Sequence, residues 1–248
     1  MISVQNLHKS FGKIKVLKGI SLDISKPGIF AILGPNGSGK TTLIKSILGM
    51  VIPDKGKILF GNTDIHRQWE YRDQIDYLPQ IARFPENLTV QEVLRMVKDL
   101  RPRRANDEEL IEKFELQAFV QQRLGNLSGG TRQKVNLVLA FMYDSPIMIL
   151  DEPTSGLDPV AMIRLKELIA REKAKGKTIL ITSHIMGFVE EIADEIVFLL
   201  EGDMYFRGSP AKLLQTYGAE TIEQAIANLL LQEHSKQALT ANFQKANY

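Results

Sequence analysis

The chain has 248 residues, 31 Lys and Arg against 29 Asp and Glu, and 44% hydrophobic residues. That suffices for one large domain or one domain with an insertion, and a net charge of +2 gives no general pull toward nucleic acid. The absence of cysteine excludes disulfides and thiol nucleophiles and fits a reducing compartment.

No charged n-region with an apolar core opens the sequence, so no secretion signal is expected. No apolar run approaches the ~20 residues of a membrane span, so any membrane role is expected to go through a partner. Ile2 to Leu7 and Val16 to Ile24 alternate well enough to be strands of a small antiparallel sheet. Ser10-Phe11-Gly12 between them reads as a loop whose aromatic could stack on a base; a Phe at the edge of the core accounts for it equally well. Ile29 to Leu33 is a short apolar run, a buried strand, and Thr42 to Leu48 a helix stopped by Gly49. Turns at Asp54-Lys55-Gly56 and Gly61-Asn62 bound a strand from Lys57 to Phe60. Ile75 to Leu78 is another apolar segment, ended by Pro79-Gln80.

From Gln80 the character changes. Thr89-x-x-Glu92 is a capping box opening a helix to about Leu100. Arg101 to Arg104 reads as a solvated basic loop, and Asn106 to Glu109 as a second helix start. The stretch from about 81 to 145 therefore reads as a helical insertion in an α/β frame. Ile147 to Leu150 is a buried strand closed by Asp151-Glu152-Pro153. Asp158-Pro159 starts a helix that runs to about Lys175 and stops at Gly176. Thr178 to Thr182 is a strand followed by His184, and Ile196 to Leu200 with Met204 to Arg207 form a hairpin around Gly202-Asp203. Ser209-Pro210 starts one more helix, and after Gly218 a helical tail runs to roughly Gln232 before fraying. Strands alternating with helices imply a largely parallel sheet.

Three stretches carry chemistry. Gly34-Pro35-Asn36-Gly37-Ser38-Gly39-Lys40-Thr41 fits G-x-x-x-x-G-K-[ST] between a strand and a helix, the context that pattern needs. Its glycines let the backbone wrap phosphate oxygens, and its N–H groups and the helix N-terminus attract the anion. Lys40 would reach the β/γ-phosphates and Thr41 would hold Mg²⁺. Asp151-Glu152, ending an apolar strand, supply one carboxylate for Mg²⁺ and a second to polarise an attacking water; a solvated acidic pair is the bland alternative. Leu127-Ser128-Gly129-Gly130 before an apolar helix is weak alone, but beside the first two it reads as a second phosphate site serving the nucleotide of another chain.

In this order the motifs resemble the nucleotide-binding subunit of ATP-binding-cassette transporters, over residues 1 to about 215. The resemblance implies that Phe11 stacks on adenine, that Gly34 to Thr41 is Walker A, Gln80 the Q-loop, and Leu127 to Gly130 the signature. It makes Ile147 to Asp151 with Glu152 Walker B, Ser155 to Asp158 the D-loop, and His184 the switch histidine, which contacts the γ-phosphate and helps position water. ATP binding then falls to Phe11, Val16, Gly34, Pro35, Asn36, Gly37, Ser38, Gly39, Lys40, Thr41, Thr42 and Gln80, joined by Ser128, Gly129, Gly130 and Asp158. Mg²⁺ falls to Thr41, Gln80 and Asp151, and catalysis to Glu152, His184 and Lys40. Phe11 stands where the family usually has Tyr, and Thr131 where it usually has Gln. His8, His66 and His234 match no motif and read as surface residues.

The implied fold is an α/β P-loop NTPase: a RecA-like core, an antiparallel β subdomain, an inserted helical subdomain at about 81–145 and a C-terminal helical tail at 216–248. The implied protein is an ATP-hydrolysing transporter subunit, dimeric with itself or a similar subunit, head to tail around two ATP molecules. It would bind a separate membrane-spanning permease at the cytoplasmic face of the inner membrane, with no nucleic acid and no insertion of its own. The segment from Gln80 to Glu92, read as helical with Phe84 and Leu88 as anchors, is the expected docking surface. A soluble cassette ATPase of DNA repair or translation is the alternative, but the first carries long coiled coils in place of this short insert and the second usually two cassettes. A P-loop kinase would not need Leu127 to Gly130. The single-cassette form resembles exporter-type subunits, and the run Leu127 to Lys134 is similar to the ATPase of copper-handling nitrous-oxide-reductase maturation.

Overall fold

The structure, a computed structural model, describes residues 1–233. Along the chain run β1 (Ile2–Phe11), β2 (Ile14–Ile24), β3 (Gly28–Leu33), α1 (Lys40–Ile47), β4 (Lys55–Phe60), β5 (Thr63–Asp64), β6 (Ile75–Leu78), α2 (Val90–Leu100), α3 (Asp107–Lys113) and α4 (Gly129–Phe141). Then follow β7 (Ile147–Asp151), α5 (Pro159–Ala174), β8 (Thr178–Thr182), α6 (Met186–Ile192), β9 (Glu195–Leu200), β10 (Asp203–Gly208) and α7 (Pro210–Tyr217). A further helix covers 222–233.

Two sheets share the core. The first is antiparallel, in the order β2-β1-β4-β5, and buries alternate residues such as Leu17, Ile20, Leu22 and Ile24 of β2, as period-two side chains require. The second runs β10-β9-β3-β8-β7-β6, parallel except for β10. β3 is buried on both faces, which is why it reads as an unbroken apolar run. Phe30 and Ile32 pack with α1 and the antiparallel sheet, while Ile29, Ala31 and Leu33 face the helices on the other side. Because β8 lies between β3 and β7, the loops leaving β3 and β7 emerge at the same carboxyl edge, two strands apart. Ligands of open α/β sheets bind at that edge.

Between β6 and β7, α2, α3 and α4 cover the second face. The capping box is formed: Glu92 N–H donates to Thr89 Oγ1 at 3.2 Å, and Thr89 N–H to Glu92 Oε2 at 2.8 Å. Several sequence expectations change here. Residues 81–88 are not helical, and α2 begins only after its cap. Phe11 ends β1 instead of sitting in a loop, because the β1–β2 ladder continues to the pair Phe11 and Ile14. Asn106 precedes α3 but bonds the Glu109 side chain and caps no backbone amide. The short helix α6 was not anticipated. In the last helix Ile222, Ala225 and Leu229 are buried on one face; the fraying expected after Gln232 falls almost wholly outside the described residues.

Arg101 departs most from its reading as a solvated loop residue. Its guanidinium donates to Asp76 Oδ1 at 2.7 Å, to Asp73 O at 2.6 Å and to Ser145 Oγ at 2.9 Å, and lies 4.9 Å from the Tyr143 ring centre. It ties the end of α2 to β6 and to the turn before β7. Asp76 is 2% exposed, so Arg101→Ala leaves a buried carboxylate whose remaining bonds go to Ser145. The expected loss is about 3 kcal/mol of unfolding free energy, measured by urea denaturation. Arg101→Lys is expected to recover only part of it, since an ammonium lacks the planar fork. An unmoved urea midpoint for Arg101→Ala would rule this out.

Candidate active site

The loop after β3 is shaped by glycines at two positions that accept nothing else. A Cβ at Gly34 would stand 2.1 Å from the Leu199 carbonyl oxygen, and one at Gly39, where φ is +104°, 2.8 Å from that of Val16. Gly39 precedes α1 and supplies no side-chain cap, so the first N–H groups of α1 are left for a ligand. Ser38 Oγ is buried in the loop with no hydrogen-bond partner among the described residues. Lys40 Nζ donates to Gly34 O at 2.8 Å and Pro35 O at 3.1 Å, which holds its ammonium over the loop. Burial lowers the pKa of Lys40, opposed by the charges of Glu152 and Asp151.

Asp151 and Glu152 face that loop from the end of β7. Burial raises the pKa of Asp151, a hydrogen bond from Thr182 opposes it, and the Glu152 charge adds to the rise. Glu152 has φ +53°, a left-handed conformation rare outside glycine. Its Oε2 lies 2.7 Å from His184 Nδ1, and the imidazole is otherwise largely exposed. His184 is thus placed on the carboxylate itself, from the segment after β8.

One cleft gathers Ile14, Val16, Asn36, Gly37, Gly39, Lys40, Thr41, Thr42, Gln80, Asp151 and Glu152. Phe11 is not among them; it stands opposite Ile14, 52% exposed, with the Lys9 ammonium 5.3 Å from its ring centre. Ser128, Gly129, Gly130 and Asp158 also lie outside the cleft. Ser128 caps α4 by accepting from Thr131 N–H at 3.2 Å. Gly130 packs against Gly156, whose carbonyl a Cβ would approach to 2.7 Å. Asp158 caps α5 at 2.8 Å from Ala161 N–H and pairs with Lys134 at 2.7 Å. The stretches Leu127 to Gly130 and Ser155 to Asp158 are therefore neighbours of each other. Sequence reading missed Ile14, on the cleft wall, and Thr182, which bonds both acidic residues. The one signal for Thr182 was a polar residue closing an apolar strand.

Thr41, Gln80 and Asp151 offer a hydroxyl, an amide carbonyl and a carboxylate, the hard oxygen donors that suit Mg²⁺ when water and phosphate complete the shell. Among the described residues no three His, Asp or Glu side chains form a metal cage of their own. The orphaned Ser38 hydroxyl, the uncapped helix and the ammonium over the loop fit a polyphosphate.

Comparisons with known proteins agree with this geometry. A family model described as "ABC transporter" matches residues 17–155. The chain is 34% identical over 235 residues to the Nod factor export ATP-binding protein I of Rhizobium sp. (strain N33), spanning 90% of this chain and 75% of that one. It is 32% identical over 237 residues to the lantibiotic transport ATP-binding protein SrtF of Streptococcus pyogenes, spanning 94% and 99%. A solved ATP-binding subunit of an ABC transporter superposes with a TM-score of 0.85 at 30% identity, covering 93% of this chain and 99% of that chain. No described helix is long and apolar enough to cross a membrane. With the family match reaching from β2 past the paired carboxylates, and relatives aligned over nine-tenths of the length, the chain belongs to the ABC transporter family as an ATP-binding protein, an ATPase.

Proposed function

We propose that this ATPase drives an exporter, as one of two cassettes bound to a separate permease at the cytoplasmic face of the membrane. The observation that carries the reading is the Glu152 carboxylate, 2.7 Å from His184 and in one cleft with Lys40 and Asp151. Glu152 takes the proton of the attacking water, and His184 holds its carboxylate in place. Lys40 and the loop N–H groups bind phosphate oxygens whose charge grows in the transition state. Thr41, Gln80 and Asp151 would hold Mg²⁺, which would neutralise phosphate charge. Phe11, at the end of β1 beside Ile14, takes the adenine.

Ser128 to Gly130 lie outside the cleft, which supports a second protomer as the one that meets them. Residues 1–215 form the cassette in this reading, with 81–145 as its helical insert and 216 onward as an appended tail. Relatives named for Nod factor export and lantibiotic transport support transport over a soluble role in repair or translation. The cargo pocket belongs to the permease.

Docking falls on the groove lined by Ile81, Arg83, Phe84, Leu124 and Arg132, next to Gln80. Phe84 and Leu88 both pack against the core, but only Phe84 also lines the groove, so the informative variant is Ile81→Asp/Phe84→Asp. It is expected to lose co-purification with the permease from detergent-solubilised membrane and to keep basal ATPase within about twofold. Normal co-purification of that variant would refute the docking surface. A wild-type chain that brings down no membrane protein would refute the transporter reading.

A further inference from the structure

Thr182 is wholly buried at the end of β8, in register with Asp151 at the end of β7. Its hydroxyl does two things at once. It donates to Asp151 Oδ1 at 2.5 Å and accepts the backbone N–H of Glu152 at 2.9 Å. The preceding residues of β8, Ile179, Leu180 and Ile181, are apolar and fully buried. Burying a hydroxyl costs free energy unless it is paired, and Val has the same branched shape without that cost. The hydroxyl is therefore explained by its two partners. Glu152 is the residue with the left-handed backbone, φ +53°, and such conformations persist where the surroundings hold them.

We propose that Thr182 is a positioning residue of ATP hydrolysis: one hydroxyl sets the orientation of the Asp151 carboxylate toward the Mg²⁺ position and anchors the turn that presents Glu152. The proposal rests on the roles given above to Asp151 and Glu152. By fastening Oδ1 it determines where Oδ2 of Asp151 points. By accepting from the Glu152 amide it places the general base relative to the phosphate loop.

Thr182→Val removes the hydroxyl and keeps the shape, and the Glu152 N–H still has the carbonyl of residue 182 at 3.2 Å, so the fold has a partner for that donor. In the purified full chain, kcat is expected to fall roughly tenfold and the Mg²⁺ concentration for half-maximal ATPase to rise roughly tenfold, as for partners that orient metal ligands. KM for ATP should stay within about twofold. Binding of a fluorescent ATP analogue in EDTA should match the parent, whereas its strengthening by added Mg²⁺ should diminish. Thr182→Ala should reproduce the Mg²⁺ shift, and Thr182→Ser should restore parental values. A Thr182→Val protein with parental Mg²⁺ dependence in both assays overturns the proposal. So does a Thr182→Ser protein as impaired as Thr182→Val. Asp151→Asn separates the two levels. If it leaves the Mg²⁺ dependence intact, the assignment of the site fails and Thr182 falls with it; if it is impaired while Thr182→Val is not, only the role of Thr182 fails.

Discussion

Glu152→Gln is expected to bind ATP like the parent and to lose hydrolysis by about 10²- to 10⁴-fold, the range for removing a general base. The amide is the same size and its oxygen can still accept from His184 Nδ1, which in the parent lies 2.7 Å from Glu152 Oε2. The backbone at φ +53° and its bonds to Thr182 are untouched by the change. What is lost is the ability to take a proton. Lys40, Thr41 and Asp151 remain, so nucleotide affinity should persist. If two protomers close around ATP, stalled hydrolysis should accumulate that closed pair. Gel filtration with ATP and Mg²⁺ is expected to show a dimer for Glu152→Gln and mostly monomer for the parent. A Glu152→Gln protein that turns over at the parental rate would remove Glu152 as the base.

The parts of the site legible in sequence are those whose chemistry is local. Gly34 and Gly39 announce a tight loop, and Lys40 and Thr41 follow in the same strand–loop–helix unit. Even there the motif hid a long-range reason: Gly34 is glycine because the Leu199 carbonyl lies against it, across the β3–β9 pairing. Thr182 shows in sequence only as a polar residue closing an apolar strand, because its meaning comes from β7 and β8 being adjacent, with Asp151 31 residues away and Glu152 30. Arg101 was misread for the same reason. A run of basic residues looks solvated until Asp76, Ser145 and Tyr143 arrive from other segments. The Thr89 capping box already marks a helix start after residues 81–88, and that stretch turns instead of forming a helix, with Leu88 N–H donating to the Pro85 carbonyl at 3.2 Å.

The run from Leu127 to Lys134 shows how far a short motif reaches. Ser128 caps α4, Arg132 bonds Leu124 O at 3.1 Å, Gln133 bonds Pro153 O at 3.1 Å, and Lys134 pairs with Asp158 at 2.7 Å. These residues hold α4 to its own neighbours. Each of these contacts is internal to the chain, so the run from Leu127 to Lys134 is no guide to cargo.

Mixing two inactive variants is expected to restore ATPase. Each chain has one phosphate loop at Gly34 to Thr41 and one stretch read as the signature at Leu127 to Gly130, and in this fold that stretch does not line the cleft. If a partner's signature completes the cleft, each ATP meets Lys40 of one protomer and Ser128 of the other. Lys40→Ala removes a cation from the developing phosphate charge, with an expected loss of about 10²- to 10³-fold. Ser128→Arg removes the cap of α4 and places bulk and charge at the interface, with a similar expected loss. Neither homodimer then has an intact site. A mixed dimer has one site with both faults and one with neither, so an equimolar mixture should recover activity if one site can fire alone and subunits exchange. Two different tags establish that heterodimers form. Heterodimers that form and stay inactive would mean a site within one chain or a cycle that needs both sites. Wild type paired with the Lys40→Ala/Ser128→Arg double variant separates those outcomes. A shared arrangement leaves both of its sites faulty and predicts no activity, whereas a site within one chain leaves the wild-type site intact and predicts about half the parental rate.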